Sequence, residues 1–293
     1  MMAALVAVAC SKTGHQQQEF EGKERIVFAA SDGDGLFSVT TKADAVTALS
    51  AFYVAAVTSA AGMETSAWTS TEFSLVPASD PATYASGKYW PSSNPSYLFY
   101  GSNLPLTFGA GGTTVSATNA TDVVCAYMTE PTYQEKNTLT FQHIFARIGE
   151  VSVTAEDGYT ISNLTITLTP KVSGTYNLKE GAGSTDGTGW SSTADGTVTT
   201  ICSRTEGIAP SSSYTLSNDV WLVPGTYTLT AGWTATKDDY TQSFSEKTAT
   251  VNLVAGKVNS ISAGIVGNAT QITLGVSLTA WSGNSIDVGT ISL

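Results

Sequence analysis

The sequence predicts an all-β protein built from two tandem β-sandwich domains. Strand-length runs rich in Val, Ile, Thr, Tyr and Phe recur after residue 25, and Gly, Ser, Asn, Asp and Pro separate them. No apolar period of 3.6 residues persists beyond a turn or two, so no long helix is expected. Charged residues make up only 13% of the chain, which is too few for a disordered protein. The polar surface must therefore come from Thr, Ser, Asn and Gly.

The predicted strands begin with residues 25–30 and 36–40, which flank the turn SDGDG. Residues 48–58 (ALSAFYVAAVT) are apolar on both faces and predict a central strand. Residues 139–155 (LTFQHIFARIGEVSVTA) form a long strand run, and residues 232–244 (GWTATKDDYTQSF) predict a hairpin with an Asp-Asp turn. Further strand runs are EFSLVP, SYLFYG, TVSAT, DVVCAYMT, TISNLTITLTP, GTVTTICSRT, DVWLVP, QSFSEKTATVNLV, SISAGI, QITLGVSLTAW and SIDVGTISL.

So many strands exceed what one sandwich core usually supports, which favours two domains. The most polar break between two long strands is TAEDGYT, so we expect domains at residues 25–156 and 157–293. Residues 1–9 are interpreted as a truncated lipoprotein signal segment and residues 10–24 as a polar tether. The Gly/Ser-rich stretch 179–196 is predicted to be a long surface loop within the second domain.

The start of the chain carries a predicted lipidation site. Residues 3–9 are all small or aliphatic, and Ala7-Val8-Ala9-Cys10 resembles a bacterial lipobox, at which the Cys receives a diacylglyceryl group. A thiolate is a strong nucleophile, which suits Cys10 to this chemistry. The leader is short and lacks Lys and Arg, so we expect the true start to lie upstream. The alternative is an ordinary secretory segment with an incidental Cys.

Charge and cysteine content limit the partners. The net charge is −11 and no basic cluster occurs, so a phosphate backbone would be repelled and nucleic acid is not expected as a partner. After residue 9 no stretch approaches 18 apolar residues, so no membrane-spanning helix is predicted and a lipid at Cys10 would only tether the protein. Cys125 and Cys202 could form a disulfide in an exported protein, but two buried, inert thiols are favoured.

The residues offer no clear catalytic or metal site. His15 lies in the polar segment, and His143 lies in an alternating strand, where a core histidine is the favoured interpretation. HExxH and GxSxG motifs are absent from the sequence, so neither a zinc site nor a serine hydrolase is predicted. Asp32 and Asp34 could bind Ca²⁺, but the EF-hand spacing stops there and a solvated turn is favoured. We therefore predict no enzyme activity, cofactor or metal.

Aromatic residues are densest in residues 88–100 (KYWPSSNPSYLFY). Trp90, Tyr97, Phe99 and Tyr100 could form a sugar-binding platform if they were exposed, but such clusters more often belong to a core or a domain junction. The core interpretation is favoured.

The final residues form a strand-like segment. Ile286 and Val288 share one face, and after a phase slip at Gly289-Thr290, which fits a β-bulge, Ile291 and Leu293 continue the alternation. An exposed segment of this kind invites edge pairing, so it must pair either in its own sheet or in the sheet of another molecule.

The N-terminal part of the chain contains a predicted strand that such a segment could replace. Residues 25–40 are strand material, and the polar loop TTKADAV follows with Lys42 before Ala43. A cut there would detach Cys10 to Lys42 and leave an open groove in the sheet, into which a strand of another subunit could pair. Four buried aliphatic side chains at roughly 1.5–3 kcal/mol each would supply about 6–12 kcal/mol before ordering costs.

Several segments together resemble the fimbrillin family, the lipoprotein-derived subunits of type V pili in Bacteroidia. The residues that carry the resemblance are the lipobox at Cys10, VTTKADAVTALSAFYVAAVT, YWPSSNPSYLFYG, LTFQHIFARIG, DVWLVPGTYTLTAGW, VNLVAGKVNSISAGI and GVSLTAW. The resemblance implies two transthyretin-like Greek-key β-sandwich domains and export as a lipoprotein to the outer membrane and cell surface, in fimbriae. It also implies trimming of the first strand by an Arg- or Lys-specific protease, followed by donor-strand exchange with other pilin subunits.

Carried over to this chain, the resemblance places lipidation at Cys10, cleavage at Lys42-Ala43 and the donor segment at residues 284–293. Arg25 is a rival cleavage site, although a cut there would remove too little strand to open a groove. The implied partners are other pilin subunits, a processing protease and, at least during export, a lipid anchor. The alternative function is a lipid-anchored surface protein that binds glycans, with Trp90 or Trp190 in the binding surface.

Overall fold

The computed structural model describes residues 25–32, 49–60, 63–76, 83–91, 97–128, 137–156, 158–266, 272–280 and 285–286. These residues form strands, turns and connecting segments without a helix, which confirms the all-β class. Within the same ranges there is consequently no apolar helix of membrane-spanning length.

Twenty strands follow one another along the described residues. Nine precede residue 144: β1 (Arg25–Asp32), β2 (Ala51–Ala60), β3 (Met63–Leu75), β4 (Tyr84–Tyr89), β5 (Tyr97–Ser102), β6 (Thr107–Gly109), β7 (Gly112–Thr118), β8 (Val124–Tyr127) and β9 (Asn137–His143). The others are β10 (Ala146–Glu156), β11 (Thr160–Leu168), β12 (Lys171–Asn177), β13 (Trp190–Asp195), β14 (Thr199–Arg204), β15 (Ser213–Leu222), β16 (Gly225–Lys237), β17 (Tyr240–Leu253), β18 (Lys257–Val266), β19 (Ile272–Ala280) and β20 (Ser285–Ile286).

The first sheet contains seven strands and closes on itself. Its order is β1-β4-β3-β2-β5-β8-β9, and a parallel pair between β1 and β9 completes the circuit. β2 lies between β3 and β5, and Val54, Ala55, Ala56 and Val57 are all fully buried. Side chains on both faces of β2 are therefore buried, as expected of the predicted central strand.

Two further sheets pack face to face as a β-sandwich. One has the order β15-β10-β18-β19-β20 and the other the order β14-β11-β16-β17. In β16 the side chains alternate, so that Tyr227, Leu229 and Trp233 are buried while Thr226 and Thr228 are exposed. The buried residues of both sheets form one core cluster, which confirms sandwich packing in this part of the chain.

A fourth sheet and a second core cluster join residues from both sides of the predicted boundary at residue 156. The fourth sheet has the order β13-β12-β7-β6, and the shared cluster includes Val115, Phe145 and Trp221. β10 precedes the boundary but pairs with β15 and β18, which follow it. The exact division into domains stays a prediction, because strands on either side of residue 156 share sheets and a core.

An ion pair also links the two sides of the chain. The Lys179 ammonium lies 2.6 Å from Oε1 of Glu64, whose side chain is only 8% exposed. The hydroxyl of Tyr100 donates a hydrogen bond of 2.8 Å to the same oxygen. Burial and the neighbouring Glu64 carboxylate raise the pKa of Tyr100, so the hydroxyl keeps its proton and continues to donate.

One strand prediction and one loop prediction differ from the structure, and one hairpin is confirmed. The run 139–155 is not continuous, because β9 ends at His143 and β10 begins at Ala146. Ile144 and Phe145, which lie between them, are both buried in the second core cluster. The chain instead passes there from β9 to β10 in another sheet. The loop predicted at residues 179–196 contains β13, which pairs with β12. β16 and β17 form the predicted hairpin, with Asp238 at a φ of 52° in the turn.

Candidate functional site at the first strand

β1 lies between two strands of the first sheet. It runs antiparallel to β4, with Phe28 opposite Tyr84, and parallel to β9, with Phe28 beside Asn137. The register with β4 shifts between Arg25 and Val27, whereas the register with β9 is regular from Phe28 to Asp32. β4 therefore pairs with the first half of β1 and β9 with the second half, with Phe28 in both pairs, and the sheet closes only while β1 is present.

The side chains of β1 anchor it in the core. Ile26 and Phe28 are both fully buried. The Phe28 ring makes edge contacts with Phe73 and Phe99, at centroid distances of 4.9 Å and 5.0 Å, and a longer contact of 6.3 Å with Phe52. Full burial of two such side chains contributes about 3–6 kcal/mol. Phe28 is thus the main anchor of β1, in a pocket with aromatic walls.

Polar contacts hold the start and the middle of β1. Nε of Arg25 donates a hydrogen bond of 2.8 Å to the Ser86 carbonyl oxygen. Nδ2 of Asn137 donates to the Val27 carbonyl oxygen over 3.4 Å, which is longer than a typical N–H···O hydrogen bond. Arg25, the rival cleavage site, is the first residue of β1, so a cut after it would leave Ile26–Asp32 attached to the chain.

The predicted cleavage site follows β1 in the sequence. Lys42 and Ala43 lie outside the described residues, between the end of β1 and Leu49, and Cys10 also lies outside them. Lys42 is the only Lys or Arg between Arg25 and Lys88. A protease specific for Lys or Arg can therefore separate β1 from β2 at this position alone. Cleavage at Lys42 and lipidation at Cys10 stay predictions.

The beginning of the predicted donor segment pairs within this chain. Ser285 and Ile286 form β20, which runs antiparallel to β19, with Ile286 opposite Leu278. Val288, Ile291 and Leu293 lie outside the described residues. The role of residues 284–293 as a donor segment stays a prediction.

The geometry around β1 suits strand replacement. Without β1, β4 and β9 would expose unpaired backbone groups, and the pockets of Ile26 and Phe28 would be empty. An extended segment with apolar side chains two residues apart could satisfy both requirements, because backbone pairing supplies affinity and alternate side chains fill pockets. Such a site can bind a strand, and its chemistry needs neither a metal nor a nucleophile.

The aromatic cluster at residues 88–100 belongs largely to the core. Trp90 is buried, stacks on Tyr97 at a centroid distance of 5.6 Å and meets the edge of Phe99 at 5.8 Å. Trp190 packs against Phe145 at 5.0 Å. These contacts confirm the core interpretation and leave Trp90 without an exposed face for a sugar.

His143, Cys125 and Cys202 are also buried in the interior of the protein. His143 is buried, with Nδ1 2.8 Å from Oδ1 of Asp122, which confirms the interpretation as a core histidine. Cys125 and Cys202 are free and buried, which confirms two separate thiols. Burial raises the pKa of Cys125 to about 12 and that of Cys202 to about 11, so neither thiol is a ready nucleophile.

The acidic turn after β1 is only partly described. Asp32 ends β1, and Asp34 lies outside the described ranges. Where the structure describes side chains, it brings together no group of three or more His, Cys, Asp or Glu residues that could hold a metal.

The sequence did not identify the residues that receive β1. The pocket of Phe28 is formed by Phe52, Phe73 and Phe99, and the flanking positions are Tyr84 and Asn137. Their strands were recognisable from alternating apolar residues, but alternation does not show which strands are neighbours. The only local signal was that two apolar residues, Ile26 and Phe28, are two positions apart, which places them on one face of a strand.

Comparisons with known proteins relate the chain to others by fold. No protein-family model matches the chain, and no curated protein matches it in sequence. A fimbrial protein from Bacteroides vulgatus ATCC 8482 has a similar structure, with a TM-score of 0.55 and 12% identity over 88% of this chain and 100% of that chain. A candidate cell adhesion protein from Parabacteroides distasonis ATCC 8503 also has a TM-score of 0.55, with 9% identity over 89% of this chain and 98% of that chain. At these identities the likeness concerns the fold.

Proposed function

We propose that the chain is a structural subunit of a surface pilus of the fimbrillin type and acts by polymerising rather than by catalysis. In this proposal the subunit has two transthyretin-like Greek-key sandwich domains, is exported as a lipoprotein through Cys10 and is displayed in fimbriae at the outer membrane. A surface protease cuts after Lys42 and releases β1. Residues 284–293 of a neighbouring subunit then fill the groove, and the polymer supports adhesion.

The observation that carries the proposal is the position of β1. It fills a gap between β4 and β9, its anchor Phe28 is fully buried, and one Lys separates it in sequence from β2. One cut can thus convert a closed sheet into a sheet with a groove. The fold shared with a fimbrial protein and with a candidate adhesion protein supports the same conclusion.

The glycan-binding alternative has less support. It needs exposed aromatic faces, and Trp90 is buried against Tyr97 and Phe99. Trp190 is half-buried against Phe145 and Tyr176. Neither tryptophan offers the open platform on which a sugar ring stacks.

Limited trypsin digestion of the purified full chain tests the proposal. Cleavage after Lys42 should release the fragment that contains β1 and give SDS-resistant ladders on a gel. A chain that is cut at Lys42 and remains monomeric would contradict the proposal.

Matched variants identify the cause of any ladder. Lys42→Arg keeps a trypsin site and should polymerise like the wild type, whereas Lys42→Ala should remain monomeric. A chain that ends at Asn284 should be cut normally but form no ladder, because it lacks the donor segment. Ladders from that shortened chain would exclude residues 285–293 as the donor.

A further inference from the structure

Two buried asparagines of this chain differ in how completely their side-chain amides are hydrogen-bonded. Asn137 and Asn259 are both fully buried. Nδ2 of Asn259 donates to the carbonyl oxygens of Arg147, Val254 and Lys257, and its Oδ1 accepts from the Val254 N–H at 3.0 Å. Nδ2 of Asn137 makes the bond of 3.4 Å to the Val27 carbonyl oxygen, and no described group donates to its Oδ1.

The incompletely bonded asparagine lies at the replaceable strand. Asn137 is the first residue of β9 and sits beside Phe28 in the parallel pair. Burial of an amide oxygen that accepts no hydrogen bond costs the full free energy of removing its bound water. In a hydrogen-bonded amide the new bond offsets this free energy. The β1–β9 contact is therefore weakened next to the largest anchor of β1.

Covalent attachment compensates for this weakness while the chain is intact. A strand tethered by a short segment has an effective concentration on the order of millimolar, so it returns to its groove after each opening. After the chain is cut, the same strand dissociates into dilute solution and does not return. A weak contact at Asn137 thus has little effect on the occupancy of the groove by β1 before cleavage and a large effect after it.

From these contacts we infer that Asn137 sets the rate at which β1 leaves the groove once the chain is cut. The inference rests on the proposed function, because it assumes that β1 is released. Asn137 is a regulatory position in this scheme, since it shortens the lifetime of the resident strand and so favours its replacement.

The test measures release of β1 directly. The full chain is cut with trypsin, and the N-terminal fragment that remains bound is followed over time by rapid gel filtration and mass spectrometry. Asn137→Thr removes the amide oxygen, suits a strand and keeps a hydroxyl that can donate to the Val27 carbonyl oxygen, so release should be about tenfold slower than in the wild type. If this variant does not fold, Asn137→Ser, which keeps the same hydroxyl donor, provides the comparison.

Asn259→Val is the matched control, because it replaces an equally buried but fully bonded asparagine. It should destabilise the chain to urea and leave the release rate of β1 unchanged. The inference is overturned if the variants at Asn137 release β1 at or above the wild-type rate, or if Asn259→Val slows release equally. These outcomes are independent of ladder formation, which tests the proposed function separately.

Discussion

Replacing Phe28 by Ala should weaken the hold of β1 on its groove more than other single changes in this strand. Phe28 is fully buried and contacts the rings of Phe73, Phe99 and Phe52. Truncation of a buried Phe to Ala costs about 3–5 kcal/mol, which corresponds to roughly a 100- to 5,000-fold loss of affinity. The large value reflects both lost burial and a cavity that rigid aromatic walls cannot fill.

A peptide-binding assay measures this loss. A labelled peptide that spans β1 is titrated into the cut chain from which the native fragment has dissociated, and its Kd is compared with that of the Phe28→Ala peptide. Val27→Ala in the same peptide is the control, because Val27 is only half-buried and its truncation should weaken binding less than tenfold. Binding of the Phe28→Ala peptide within tenfold of the wild type would refute the argument that Phe28 is the anchor.

Two further predictions concern the rest of the molecule. Iodoacetamide at pH 8 should leave Cys125 and Cys202 unmodified in the folded chain and modify both after denaturation, because their pKa values of about 12 and about 11 keep the buried thiols protonated at this pH. Peptide mapping checks this, and modification of the folded chain would contradict it. Lys179→Ala should lower the free energy of unfolding by about 1 kcal/mol, because the largely buried Glu64 carboxylate loses a charged partner. Urea unfolding measures the change, and Lys171→Ala, at an exposed position, is the control. Equal stability of the two variants would refute the prediction for Lys179.

The sequence contained the local signals of this fold. Alternation in β16, with buried Tyr227 and exposed Thr228, is visible as Thr residues spaced among apolar ones. Asp238 and Asp239 mark a turn because Asp tolerates positive φ, and the structure places Asp238 there. The two apolar faces of β2 likewise indicated a central strand. Each of these features depends on residues close together in sequence.

Other features depend on contacts between residues far apart in sequence, which a local sequence pattern does not reveal. The break after His143 lies where the chain passes from the first sheet to the sheet that contains β10, yet in sequence Ile144 and Phe145 continue an apolar run. β13 lies in a stretch whose Gly and Ser favour loops, and its pairing with β12 outweighs that preference. The groove was expected from the composition of residues 25–40, but its walls at Tyr84 and Asn137 required the tertiary structure.

The parallel contact between β1 and β9 also bears on how the chain folds. The hydrogen bond between Asn137 and Val27 joins residues 110 positions apart in sequence. Contacts of this separation have a high loop-closure cost and tend to form late. β1 is made before both strands that flank it, so in every newly synthesised molecule it remains unpaired until β4 and β9 have been made. Correct folding at that stage depends on intramolecular insertion of β1 being faster than capture of a strand from another molecule.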